Sequence, residues 1–266
     1  KATAFVSFYF GDDKMKTGTD DKGYDKPNYF GSFYDDRFDM HWGNLLAQAG
    51  LNYRFNDNLS SEFTAAYTHF FSGMKNEYIY RDKSSDHMDE SHTVLNTDNN
   101  INDWIFRGDF DWSPNGYNRV RFGAGYTRHS FLPARTSRLY EVGTTHLSTR
   151  DSTWAYGANE VNAYIEDDWK ISDKFRMNAG FHGSLFNIEG KTNFGWSPRL
   201  SLSYRPDEDW AVKFAYARTT QYVHQLSQSY LALPTDQWIP ISGKFKPETA
   251  DKISVGGYWQ SPDKTY

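Results

Sequence analysis

Apolar and polar residues alternate with a period of two along most of this chain, and that pattern limits its fold more than any other feature. From Leu45 to Phe55 every second residue is apolar, while Gln48 and Arg54 stand between them. The same alternation recurs over 104–112 and 175–185. Successive side chains of a β-strand point to opposite faces, so the pattern predicts strands with one apolar and one polar face. We count roughly ten such strands, many near the ~9–11 residues that cross a bilayer when tilted.

The connections between these strands alternate in length. The long ones are 11–41, 72–102, 132–156, 189–196 and 222–249, and the short ones are 56–58, 113–118, 172–173, 206–208 and 261–264. Outer-membrane β-barrels have short periplasmic turns and long extracellular loops. A soluble β-sandwich or propeller is the alternative fold, but it has no reason to place every long connection at one end. The sequence therefore predicts an all-β fold, the antiparallel wall of a transmembrane β-barrel with up-and-down strands.

Aromatic residues make up 18% of the chain, while only 38% of it is hydrophobic. Several aromatics stand beside the short turns, where a barrel carries an interfacial girdle. They are Tyr53, Phe55, Trp112, Trp169, Tyr204, Trp210 and Trp259. Aromatics at strand ends also pack in soluble barrels, so the girdle is an interpretation that depends on the membrane.

Composition also excludes several classes of protein and site. The chain has no cysteine, which rules out a disulfide framework, a thiolate zinc site and a cysteine nucleophile. Its formal net charge of −5 gives no bulk electrostatic basis for binding nucleic acid. No apolar stretch approaches the ~18 residues of a membrane-spanning helix, but barrel strands give only a weak hydropathy signal.

The second half of the chain carries an ordered set of motifs. They are Tyr164-Ile165-Glu166-Asp167-Asp168-Trp169 with 171–175 and Asn178-Ala179-Gly180, then Ser197-Pro198-Arg199-Leu200-Ser201-Leu202-Ser203-Tyr204 with 213–216, Leu233-Pro234-Thr235-Asp236-Gln237-Trp238-Ile239-Pro240, and Lys246-Pro247-Glu248-Thr249-Ala250. The set resembles barrel hairpins of TonB-dependent receptors, of the type found in Bacteroidetes. The first half is compatible in pattern but adds no motif.

This resemblance implies a barrel of ~22 strands with a plugged lumen in the bacterial outer membrane. About half that number is visible, and we find neither the plug domain nor the TonB-contacting segment. We therefore expect residues 1–266 to be an interior portion of the barrel domain, with an independent small barrel of about ten strands as the alternative. The implied partners are outer-membrane lipid and lipopolysaccharide, the inner-membrane TonB complex through the absent plug segment, and a surface lipoprotein.

The same resemblance implies a function. The full protein would bind a scarce nutrient outside and import it with energy relayed by TonB. A metal chelate such as a siderophore, an oligosaccharide and a peptide are comparable substrates, and no cofactor is expected. A small barrel acting as an adhesin or a passive porin is the rival function.

Two groups of residues are candidates for contact with a plug or a ligand. Charged residues on the polar face would line the lumen and face a plug: Arg107, Arg121, Glu166, Arg176, His182, Arg199 and Lys213. Aromatics in the long connections would stack on a ligand, because loops on a rigid scaffold carry function: Tyr34, Trp42, Tyr80, Tyr140, Trp154, Tyr222, Tyr230 and Trp238. The plainer explanations are a solvated inner wall and loop-to-loop packing.

No catalytic signature appears in the sequence, so we expect no enzyme. An outer-membrane barrel hydrolase would need a nucleophile, a histidine and an acid near one rim, and the nearest set is Ser130, His129 and Glu141. We expect no metal site. A divalent cation at His87, Asp89, Glu90 and His92 is a weaker alternative to a solvated loop.

Overall fold

The described part of the protein is built almost entirely of β-strands. The computed structural model describes residues 1–19, 30–84, 87–143, 145–151, 155–226, 236–242 and 245–260. Its strands are β1 (Ala2–Thr19), β2 (Gly31–Asn56), β3 (Leu59–Lys83), β4 (Met88–Trp112), β5 (Asn118–Val142), β6 (Thr145–Asp151), β7 (Tyr156–Lys170), β8 (Phe175–Ile188), β9 (Lys191–Tyr204), β10 (Trp210–Gln221), β11 (Val223–Leu226), β12 (Gln237–Pro240) and β13 (Glu248–Trp259). Within these ranges no helix is long and apolar enough to cross a membrane.

Ten strands form one antiparallel meander, which confirms the predicted up-and-down wall. Their order is β1-β2-β3-β4-β5-β7-β8-β9-β10-β13, with β6 paired to β5 beside this path. β11 and β12 form a separate two-stranded sheet. β1 and β13 therefore stand at the two ends of the sheet order among the described residues.

Cross-strand register keeps the two faces of the sheet distinct over the whole meander. Residues that pair directly across strands share a face. One row of partners runs Val6, Ala49, Ala65, Phe106, Tyr126 and Val161. A neighbouring row on the other side runs Asn52, Glu62, Asp109, Gly123, Tyr164 and His182. We call the side with Ala65 the apolar face and the side with Glu62 the polar face.

The predicted girdle aromatics gather at the edge that carries the short turns. All seven are exposed, and the six that pair across strands lie on the apolar face, as a lipid-facing ring requires, while Phe55 stands at the register shift between Arg54 and Asn56. Tyr53 and Phe55 pack edge to face with ring centroids 4.8 Å apart, and Trp210 and Trp259 pair across the last ladder at 6.1 Å. A second aromatic row, which the sequence did not reveal, stands further along the strands. Tyr67 and Trp104 pair across β3 and β4 in this row, with ring centroids 4.8 Å apart, and Tyr126 stands in the neighbouring row beside Phe106.

The predicted long connections are wrong for most of their length, because the strands continue through them. β3, β4 and β5 each have 25 residues, more than twice the ~9–11 that a tilted strand needs to cross a bilayer. We call residues 11–19, 31–43, 71–83, 88–100, 132–143 and 145–151 the extension. Both faces of a ladder outside lipid meet water, so the apolar–polar alternation fades there although the backbone pairing persists.

The predicted long connection at 189–196 is a tight hairpin instead. Glu189 and Gly190 form the whole turn, with φ angles of 50° and 76°. Positive φ at both central residues is the geometry of a type I′ turn, which matches the twist of the flanking strands. Lys191 already belongs to β9, so this hairpin barely rises beyond its strands.

One irregularity interrupts the ladder between β4 and β5. Asn100 pairs with Leu132 but Asp98 pairs with Arg135, so Pro133 and Ala134 stand opposite Asn99. Two residues opposite one is a β-bulge, and proline fits there because it has no N–H for the ladder. The extra residue reverses the alternation of β5: odd residues face the polar side before the bulge, and even residues do so after it.

We expect a lysine at position 65 to be far more costly than one at position 64. Ala65 lies six residues along β3 on the exposed apolar face, close to the middle of a bilayer span, while Thr64 lies beside Glu62 on the polar face. Ala65→Lys should lower the free energy of unfolding by about 2–4 kcal/mol in lipid vesicles. Thr64→Lys should change it by about 0.5 kcal/mol or less. Urea titration of the full-length protein measures both, and equal losses would contradict the face assignment.

Candidate functional site

Charged side chains on the polar face are paired across several strands. All seven residues predicted to line a lumen lie on this face: Arg107, Arg121, Glu166, Arg176, His182, Arg199 and Lys213. Arg107 Nε lies 2.6 Å from Asp109 Oδ2, and Tyr164 Oη donates to Asp109 Oδ1 at 2.7 Å. Arg121 Nη2 lies 2.7 Å from Glu166 Oε1. Neighbour pairing thus accounts for three of these seven residues, Arg107, Arg121 and Glu166, and a role in facing a plug stays a prediction.

A glycine lets this network close up. A Cβ at position 123 would lie 2.7 Å from both the Asp109 carboxylate and the Gly108 carbonyl oxygen, and 2.8 Å from the Tyr164 ring. Any larger residue at position 123 would collide with the Gly108 carbonyl oxygen, which is held in the paired strand β4. It would also displace the side chains of Asp109 and Tyr164 and so break the hydrogen bond between them.

A cavity of about 560 Å³ opens on the polar face beside these pairs. Its lining includes Arg107, Arg121, Glu166, His182 and Arg199. Among the described residues Arg199 has no hydrogen-bond or ion-pair partner, whereas the first three are paired. The cavity therefore presents an excess positive charge that an acidic group could neutralise.

The short hairpin of β11 and β12 folds over the polar face, near the strand ends opposite the short turns. Tyr222 stacks on Phe186 with ring centroids 4.7 Å apart and an angle of 6° between the rings. Its hydroxyl lies 2.7 Å from Ser184 Oγ. Tyr222 and Phe186 belong to an apolar cluster whose other members are Phe131, Ala158, Ile188 and Ile241, with Ile101, Tyr156 and Val223 packed against it.

The bulge between β4 and β5 holds the other arm of this hairpin. Asn99, which is 2% exposed, donates from Nδ2 to the Asp236 carbonyl oxygen at 3.2 Å. Gln225 Nε2 donates to Asp236 Oδ2 at 3.3 Å, which ties β11 to the residue before β12. The segment that was predicted as an open outer connection, 222–249, is therefore partly docked against the wall.

The predicted outer aromatics occupy different surroundings. Tyr34 and Tyr80 pair across β2 and β3 with ring centroids 5.1 Å apart, and Tyr34 and Tyr140 are exposed. Trp42 and Trp238 are half-buried, in β2 and β12. Trp154 and Tyr230 lie outside the described residues.

Tyr222 corrects one expectation about these aromatics. Only 6% of it is exposed, so it packs the hairpin against the wall and does not present an open ring. The sequence missed this role because its partners Phe186 and Ser184 lie on another strand, with no local pattern to link them.

The hydrolase triad suggested by the rival hypothesis does not form. His129 and Ser130 are consecutive on β5 and point to opposite faces. Glu141 lies eleven residues further along the same strand, about 36 Å away at ~3.3 Å per residue. His129 Nδ1 instead lies 2.8 Å from Asp103 Oδ1, and its Nε2 lies 3.6 Å from Glu160 Oε2.

The four residues considered for a divalent cation do not converge either, because three of them lie on β4. His87 Nε2 contacts Asp89 Oδ1 at 3.0 Å, and Glu90 accepts a 2.6 Å bond from Arg81 Nε. His92 lies between Glu77 and Glu141, at 2.9 and 3.3 Å. Within the described ranges no group of three or more His, Asp or Glu side chains could hold a metal ion.

Glu77, in the extension, has a pKa that its surroundings displace. Burial raises its pKa, but hydrogen bonds from His92 and Lys75 outweigh that effect and lower the pKa below its ordinary value of 4.5. The carboxylate is thus charged at neutral pH and links β3 to β4 in the extension.

Comparison with known families gives a match over almost the whole chain. A family model described as "TonB dependent receptor-like, beta-barrel" matches residues 2–265. No curated protein sequence matches significantly.

Several solved structures are similar to this chain at low sequence identity. The siderophore receptor PirA from Acinetobacter baumannii is 11% identical with a TM-score of 0.45, over 96% of this chain and 51% of that protein. The ferric yersiniabactin uptake receptor FyuA from Yersinia pestis is 10% identical with a TM-score of 0.43, over 98% and 51%. The copper transporter OprC is 9% identical with a TM-score of 0.46, over 98% and 52%. This chain spans about half the length of these proteins.

Replacing Tyr222 should release the docked hairpin. Tyr222→Ala removes the ring stacked on Phe186 and should weaken docking by about 3 kcal/mol. Tyr222→Phe keeps the ring and loses only the hydroxyl contact with Ser184, so about 1 kcal/mol should be lost. Hydrogen exchange over 236–241 measures docking in both variants, and unchanged protection in Tyr222→Ala would contradict the packing role.

Acidification should loosen the extension around Glu77. A carboxylate with a lowered pKa contributes stability that is present above the unfolded value near 4.5 and is lost as pH falls through the folded value. Amide protection factors over 75–78 and 91–95 should therefore fall on going from neutral to acid pH. Glu77→Gln should remove much of that pH dependence, whereas Asp36→Asn, on the opposite face of β2, should leave it. Identical profiles in both variants would show that Glu77 is not responsible.

Proposed function

Because the chain belongs to the TonB-dependent receptor family, we propose that it forms part of the wall of an outer-membrane receptor that imports a scarce nutrient. The observation that carries this proposal is the continuous register, which separates an apolar face from a charged face over ten strands. A wall between lipid and a wet interior requires that separation in every strand that crosses the membrane.

The wall would be completed by strands outside this sequence. A strand edge in hydrocarbon leaves backbone N–H and C=O groups without partners, which costs several kcal/mol per group. β1 and β13 stand at the ends of the described sheet and would need such neighbours. A small closed barrel, whether adhesin or passive porin, would need these two strands to pair with each other.

The polar face would receive a plug domain. The cavity beside Arg199 and His182 holds positive charge that the wall itself does not neutralise, and an acidic side chain of a plug would do so. The TonB complex would then act on that plug. Lipid and lipopolysaccharide would meet the apolar face, and a surface lipoprotein would meet the extension.

Substrate recognition would take place on the outer side, where the extension and the docked hairpin stand above the lumen. Metal chelates such as siderophores, oligosaccharides and peptides remain comparable substrate classes. Import is the proposed activity, and the rival hydrolase hypothesis lacks its triad, whose residues are spread over two faces and about 36 Å of strand.

An uptake assay tests the proposal. The full-length protein is expressed in a host that lacks its own equivalent receptors, with and without a functional TonB complex, and is supplied with labelled ferric chelates, oligosaccharides or peptides. We expect saturable uptake of one class that disappears when TonB is absent. Uptake that persists without TonB would identify a passive pore, and no uptake of any class would contradict import.

A further inference from the structure

The extension contains a second cavity, separate from the ionic network of the wall. It has a volume of about 550 Å³ and is lined by Tyr78, Thr93, Leu95, Arg138, Tyr140 and Leu147. Sites for small organic ligands usually fall between about 300 and 1,000 Å³ and are mostly apolar with a few polar groups. The size and lining of this cavity meet both conditions.

Strand pairing places these residues together. Tyr78 pairs with Thr93, Thr93 with Tyr140, and Tyr140 with Leu147, so one row crosses four strands. Arg138 pairs with Leu95 in the adjacent row. Directly paired residues share a face, so all six side chains stand on one side of the sheet.

The bulge at Pro133 determines which residues of β5 line the cavity. Without the extra residue, the alternation of β5 would turn Arg138 and Tyr140 to the apolar side of the wall. With it, both residues share the side that carries Arg107 and Glu62 lower down the strands. A ligand in the cavity would therefore lie above the polar face, on the path toward the interior.

The walls of the cavity suit a flat ring. Tyr78 is 50% exposed and Tyr140 is 41% exposed, although both carry large apolar rings. Leu147 adds an exposed aliphatic surface at 57%. Tyr34 and Tyr80 lie in the next row along the same face, which extends the aromatic surface upward. Offset stacking on such rings contributes binding free energy beyond that of simple burial.

Arg138 supplies the charge. Among the described residues no carboxylate pairs with it, in contrast to Arg135, which lies three residues earlier and 3.5 Å from Asp98. A guanidinium beside tyrosine rings and aliphatic side chains favours an anionic partner, because its donors match a carboxylate or a similar oxyanion in a fork geometry.

We propose that this cavity binds an aromatic anion, a planar ring that carries an acidic group, through Tyr78 and Tyr140 on the ring and Arg138 on the acid. The inference deepens the proposed function, on which it rests, by giving the outer surface a substrate class. The Arg138 guanidinium distinguishes this class from neutral oligosaccharides, which would need hydroxyl-matching amides or carboxylates in its place.

Calorimetric titration of the purified full-length protein tests the proposal with a matched pair of probes. The probes are 2-naphthoate and its neutral analogue 2-naphthamide, which share the ring and differ in charge. Three variants are compared with the unaltered protein: Arg138→Gln, Tyr140→Ala, and Arg135→Gln as the control on the opposite face of the same strand. Maltotriose serves as a neutral sugar probe.

We expect 2-naphthoate to bind more tightly than 2-naphthamide, with a loss of ~10-fold or more in Arg138→Gln because a charged hydrogen bond disappears. Tyr140→Ala should weaken both aromatic probes, and Arg135→Gln should weaken neither. Equal affinity for the two probes, an equal loss in Arg135→Gln, or binding of maltotriose in preference to 2-naphthoate would overturn the proposal. Binding is measured without transport, so failure here is distinguishable from failure of the uptake assay.

Discussion

Backbone hydrogen bonding between neighbouring strands is the constraint on which the rest of this structure depends. Hydrocarbon offers no partner for an N–H or C=O group, so a chain that crosses it in strands must pair every one of them with a neighbour. Pairing fixes register, and register fixes which side chains share a face. The apolar row through Ala65 and the charged row through Asp109 are both consequences of that single ladder.

The single break in the β4–β5 ladder shapes the outer end of the wall. At Pro133 the strand gains a residue, and two results follow from it. Asn99 is left opposite the bulge, where it donates a hydrogen bond to the backbone of Asp236 and helps to hold the docked hairpin of β11 and β12. Beyond the bulge the alternation of β5 reverses, which brings Tyr140 and Arg138 to the polar face of the sheet. The bulge thus sets the position of two outer features, the docked hairpin and the cavity lined by Arg138 and Tyr140.

The wall was predictable from the sequence because lipid and water impose a period-two pattern that is visible in one chain. The girdle from Tyr53 to Trp259 and the polar-face position of Arg107 and Glu166 follow from that pattern. The extension was not predictable, since water on both sides removes the pattern while the pairing continues. The burial of Tyr222 and the assembly around Arg138 were also hidden, because their partners come from other strands and from a bulge with no apolar signal of its own.

Spin labelling along β7 tests most directly whether this sheet is a membrane wall. Residues 1–266 contain no cysteine, so a single cysteine introduced at each of positions 161–166 provides one labelling site within them. The label is studied in the full-length protein in bilayers. We expect collision with oxygen, which concentrates in lipid, to be high at Val161, Ala163 and Ile165, and collision with a water-soluble nickel reagent to be high at the residues between them. Absence of this alternation, or equal access of the nickel reagent to both sets, would contradict a wall with one face in lipid.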